Sequence, residues 1–81
     1  MKDDEKMFFK ACCRLKFIHP LISPRVLIYI MSDVINYKRA WYLLEKWTNL
    51  GFYKYGVTLD LGWIEFDKLP DRYRVLLLEM R

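Results

Sequence analysis

At 81 residues the chain is about half the ~150 usually allotted to a domain, so one domain over residues 1–81 is expected, with no second lobe. A content of 54% hydrophobic and 30% charged residues excludes a disordered polar chain, and three glycines with three prolines exclude collagen-like and linker classes. The net charge of +4 is uneven: residues 1–5 carry −2, residues 6–54 carry +7 and residues 55–81 carry −1, a basic body suited to a polyanion.

Asp3, Asp4 and Glu5 put acids where a helix start favours them, and apolar positions 8, 11, 12 and 15 share one stripe. A first helix ending near Phe17 is predicted. His19-Pro20 and Ser23-Pro24 then interrupt the chain, and Ser23 before Pro24 is a good cap for a helix over 24–32. Val26, Leu27, Ile30 and Met31 form its expected buried stripe, although the β-branched run would also serve a strand. Ser32 to Asn36 make a polar break, with Asn36 placed to cap a third helix over Tyr37–Asn49. Ala40, Leu43, Leu44, Trp47 and Leu50 give that helix its apolar face, opposite Lys38, Arg39, Tyr42, Glu45, Lys46 and Asn49. Gly51 suits the stop. Phe52–Tyr55 and Trp63–Phe66 are predicted to pair as a hairpin, with a further short strand possible between them, and a last helix over 70–80 folds back on the core. Phe52, Trp47 and Phe66 are expected inside.

This order, over residues 23–66, resembles the winged helix-turn-helix superfamily. Ser23 starts the second helix, Val34-Ile35 fill the turn, Trp47-Thr48-Asn49-Leu50-Gly51 close the third helix, and Phe52 to Phe66 supply a wing. The resemblance implies a small α+β domain of three helices, a β-hairpin wing and a C-terminal helix. It also implies double-stranded DNA as the partner, with helix 36–49 entering the major groove. The candidate nucleic-acid contacts are then Asn36, Lys38, Arg39, Tyr42, Lys46 and Lys54, with Arg14, Lys16 and Arg25 extending the basic surface. Exposed basic residues also occur simply as the solvated face of a helix. Small regulators and accessory proteins of phages and mobile elements are similar in length and layout.

The wing departs from that pattern: Asp60, Glu65 and Asp67 stand against one Lys54 and would repel phosphate. The alternative is a winged-helix module that binds a protein partner, or a second copy of itself, through Tyr53, Tyr55 and Trp63. No enzyme is expected. His19 with Cys12 and Cys13 lacks metal-ligand spacing, and no nucleotide-binding glycine motif is present, so no cofactor, metal or small-molecule substrate is anticipated. Adjacent cysteines point to reduced thiols. The longest apolar run, Val26 to Met31, falls far short of the ~18 residues of a membrane span, and the acidic start is unlike a secretory signal. A cytoplasmic protein without a membrane partner is the expectation.

Overall fold

Helix α1, Asp3–Ile18, opens on the three acids and closes near Lys16, in the sense the helix dipole favours. The computed structural model describes residues 1–56, 58 and 60–80. The buried face of α1 consists of Glu5, Phe8, Phe9, Cys12, Cys13 and Lys16. These positions fall at i, i+3, i+4, i+7, i+8 and i+11, a continuous helical stripe with a charged residue at each end. The predicted stripe was narrower and displaced; Ala11 and Leu15 are only partly buried.

Ser23 Oγ accepts the Val26 N–H at 3.1 Å and Pro24 occupies the first turn of α2, Pro24–Ile30. The segment is helical rather than extended, and it stops two residues before the expected end because Met31 begins a turn: the Val34 and Ile35 amides both donate to the Met31 carbonyl. Leu27, Ile28 and Met31 face inward, whereas Val26 and Ile30, predicted to be buried, are exposed. Ile35 fills the turn and Val34 is exposed. Asn36 Oδ1 accepts from the Lys38 and Arg39 amides at 2.9 and 3.4 Å, starting α3, Tyr37–Asn49. Ala40, Leu43, Leu44 and Trp47 bury its inner face; Leu50 is exposed at its end. Gly51, with φ of 94°, reverses the chain there, and the Phe52 amide reaches back to the Trp47 carbonyl.

Strands β1, Tyr53–Tyr55, and β2, Gly62–Ile64, pair antiparallel, with Tyr53 opposite Ile64, Lys54 opposite Trp63 and Tyr55 opposite Gly62. Both are shorter than predicted. Phe52 precedes β1, and Phe66 leaves β2 to open a single 3-10 turn, Phe66–Lys68. Of the possible extra strand, Val57 and Leu59 lie outside the described residues, while Thr58, Asp60 and Leu61 are not in a strand. Helix α4, Asp71–Glu79, buries Tyr73 and Leu76 and packs on α1, which also contacts β2; α3 packs against α2 and β1.

Among the described residues the result is an α+β arrangement of four α-helices and a two-stranded antiparallel sheet. Its centre is aromatic. Trp47 lies 5.4 Å from Phe8, 5.5 Å from Phe9 and 5.8 Å from Phe52 between ring centroids, and Tyr73 lies 4.8 Å from Phe52. Trp47 and Phe52 are core as expected. Phe66 is not: departure of the chain into the 3-10 turn leaves it exposed, stacked on the outward-facing Phe17 at 6.4 Å.

Candidate binding surface

The residues expected to contact DNA are brought onto and beside α3, but most of their charge is answered within the molecule. Arg39 donates to both carboxylate oxygens of Asp4 at 2.9 and 3.3 Å, and its guanidinium lies 5.3 Å from the Tyr42 ring centroid. The arginine beside Asp4 holds that carboxyl below its ordinary pKa. Lys46 pairs with Glu5 at 2.9 Å, and Lys54 pairs with Glu65 at 3.0 Å. Asn36 uses its side-chain oxygen as the α3 cap. Among the described residues, Lys38 alone of the four expected cations has no carboxylate partner; it and Tyr42 are exposed.

The adjoining expectations also change. Lys16 is buried rather than part of a basic surface, and Arg14 lies exposed beside Phe17, Arg74 and Leu78 at the α1–α4 edge. Of the aromatic wing residues, Tyr53 is wholly buried and belongs to the core, because at the head of β1 it faces inward toward α1 and Gly62. Trp63 is half-buried and Tyr55 exposed, so these three do not form one open anchor surface.

An open surface lies instead along α2. Its outward residues Arg25, Val26, Tyr29 and Ile30 form a ridge, with Tyr29 80% exposed. On one side Val26 and Ile30 border an apolar groove of about 630 Å³ shared with Ile18, Leu21 and Ile22. On the other, Arg25 and Tyr29 border a groove of about 580 Å³ completed by Ile28, Ser32, Tyr37 and Trp41. Tyr37 and Trp41 are one helical turn apart on α3 and meet edge-on at 6.4 Å; Arg25 and Tyr29 are one turn apart on α2. Those two i, i+4 pairs are the sequence signal for this groove, and neither pair lies among the four expected cations or on the wing. The Trp41 indole N–H is buried without an acceptor among the described residues.

Two other polar centres are internal. Glu5, 1% exposed, accepts from Lys46, from Trp47 Nε1 at 3.0 Å and from the Tyr73 hydroxyl at 2.5 Å, joining α1, α3 and α4. Burial alone would raise its pKa, but donation from Tyr73, Lys46 and Trp47 outweighs that and holds the carboxyl below its ordinary value. Lys16, 4% exposed, donates to the backbone carbonyls of Ile22 at 3.0 Å and Gly62 at 2.5 Å. Burial pulls its pKa down to about 8. Cys12 and Cys13 are buried free thiols whose pKa values burial raises, that of Cys13 to about 12, which suppresses thiolate reactivity. His19 is exposed, and among the described residues no three His, Cys, Asp or Glu side chains gather as a metal site. Likewise, among them no helix is long and apolar enough to cross a membrane.

Compared with protein-family models, with curated proteins and with solved structures, the chain matches none.

Proposed function

We propose that this chain is a non-enzymatic protein-interaction module whose α2–α3 groove docks a partner segment carrying an apolar anchor flanked by acids. The carrying observation is the make-up of that groove: Arg25, Tyr29, Tyr37 and Trp41 around Ile28. Tyr, Trp and Arg dominate the energetics of protein interfaces because each buries a large area at low entropic cost and still offers a donor. The acidic flank follows from charge complementarity, since Arg25 and Lys38 stand at the groove and the adjoining start of α3 without an ion-pair partner among the described residues.

Duplex binding by α3 draws less support. A phosphate approaching Arg39 also meets Asp4, one approaching Lys54 meets Glu65, and Glu45 is exposed on the same helix. Electrostatic attraction to DNA depends on uncompensated positive charge along a face. The likeness in element order to winged helix-turn-helix domains suits either partner, because a fold hosts many functions.

Selection from a random peptide library, followed by titration of the recovered peptides, tests the proposal. Enrichment of sequences with a large apolar residue next to Asp or Glu is expected, with binding weakened about tenfold or more by Tyr29→Ala or Arg25→Glu. Failure to enrich any peptide, or binding indifferent to both substitutions in folded protein, contradicts it.

A further inference from the structure

At the C-terminal end of α1 the structure holds a positive charge that nothing in the described molecule neutralises. Lys16 is almost fully buried, yet its two acceptors are the neutral carbonyls of Ile22 and Gly62, the Tyr53 ring centroid lies 5.8 Å from its ammonium, and no carboxylate of the described residues pairs with it. An ammonium has three donors, and a buried cation is ordinarily paired. A second unsatisfied group stands at the same corner. The Tyr53 hydroxyl is buried with no partner among the described residues, and a Cβ placed on Gly62 would lie 2.6 Å from that hydroxyl and 3.1 Å from the Ile22 carbonyl oxygen. Glycine at 62 therefore lets the Tyr53 hydroxyl and the Ile22 carbonyl close in on the backbone beside Lys16, a packing that leaves no space for a side chain there. Lys16 also lines a cleft of about 350 Å³ whose other walls are Pro20, Leu21, Trp63, Ile64 and Phe66. One buried cation among five apolar walls, in a volume at the small end of ligand sites, is a recognisable chemical specification.

We propose that this cleft binds a small monocarboxylate with a compact apolar body, the carboxylate supplying the counter-charge of Lys16 and the apolar body lying against Leu21, Trp63 and Phe66. A neutral apolar ligand would leave the ammonium unpaired, a dianion would bring a second charge into apolar surroundings, and a cation would meet like charge. Burial lowers the pKa of Lys16, and a carboxylate beside its ammonium would raise it. The cleft is independent of the α2–α3 groove, sharing no lining residue with it, and does not rest on the docking function proposed for that groove.

Hexanoate and its uncharged counterpart hexanamide are the probes, titrated at neutral pH into the intact protein while backbone amide resonances are followed. Saturable shifts at Leu21, Trp63 and Phe66 with hexanoate are expected, with affinity at least about tenfold weaker for hexanamide and for Lys16→Met. Equal affinity for acid and amide overturns the proposal, as do the absence of saturable shifts with hexanoate or unchanged hexanoate binding in folded Lys16→Met. Should that variant not fold, the acid and amide arms on the unaltered protein decide alone. Loss of peptide docking through Tyr29→Ala with hexanoate binding intact would separate the two sites.

Discussion

The two ends of the buried face of α1 treat charge in opposite ways. At the N-terminal end Glu5 is enclosed by three donors from two other helices, so the charge is both neutralised and hydrogen-bonded. At the C-terminal end Lys16 is just as deeply placed but is met by two carbonyl oxygens and the face of the Tyr53 ring, with no carboxylate among the described residues. A buried charge with a complete shell fixes an architecture, whereas one with a partial shell stores an unmet demand. The first end ties α1 to α3 and α4. The second ties it to the α1–α2 loop and to β2 through neutral acceptors alone.

The sharpest way to break this contrast is to remove the acid. Glu5→Ala orphans the Trp47 and Tyr73 donors and the Lys46 ammonium together, and about 3–5 kcal/mol of stability should be lost, read by chemical denaturation. A loss under about 1 kcal/mol would show that the network is ornamental. Next is Gly62→Ala, whose added methyl collides with the Tyr53 hydroxyl and crowds the Ile22 carbonyl; overpacking of this kind costs about 1–3 kcal/mol. The same assay checks it.

Lys16→Met should change stability by no more than about 1 kcal/mol, because relief from burying an unpaired charge offsets the loss of two hydrogen bonds. A loss as large as that of Glu5→Ala would erase the distinction between the ends.

The pH dependence carries the same contrast. The folded carboxyl of Glu5 lies below its ordinary 4.5, so its contribution is present above that value and disappears as pH falls through the folded pKa. For Lys16 the folded value of about 8 lies below the ordinary 10.5, so between them the unfolded chain binds more protons and stability from this group rises with pH. From about pH 9 the raised thiols of Cys12 and Cys13, and then the Tyr53 phenol, act in the opposite direction. A small rise confined to pH 8–9, at most about 1 kcal/mol and absent in Lys16→Met, is therefore expected in melts across that range.

Much of the secondary structure was legible because the local signals agree. Ser23-Pro24, Asn36 and Gly51 sit where helix starts and stops need them, and the 3.6-residue pattern of α3 returned both of its ends. The winged arrangement itself remains a resemblance in element order. Boundaries slipped where backbone chemistry was not encoded by an obvious breaker, as at Met31 and Phe66, and the exposed side of α2 was misjudged because its residues are apolar on both faces. The candidate site was less legible. Pairing of Arg39 with Asp4 and of Lys46 with Glu5 spans 35 and 41 residues, a tertiary fact that no local pattern contains. One signal was present: Glu5 and Lys16 occupy positions of the apolar stripe of α1, and polar residues in such positions mark buried charge.

The outward side of α2 and α3 is proposed to recognise protein rather than phosphate. Affinity measured against ionic strength, for a random-sequence duplex and for a synthetic peptide with leucine between glutamates, compares the two directly. Saturable peptide binding lost in Arg25→Glu is expected, with duplex binding weak and a logarithmic salt slope no steeper than about −2. A duplex slope of about −3 to −4, as four engaged cations would give, together with indifference to the peptide, would contradict it.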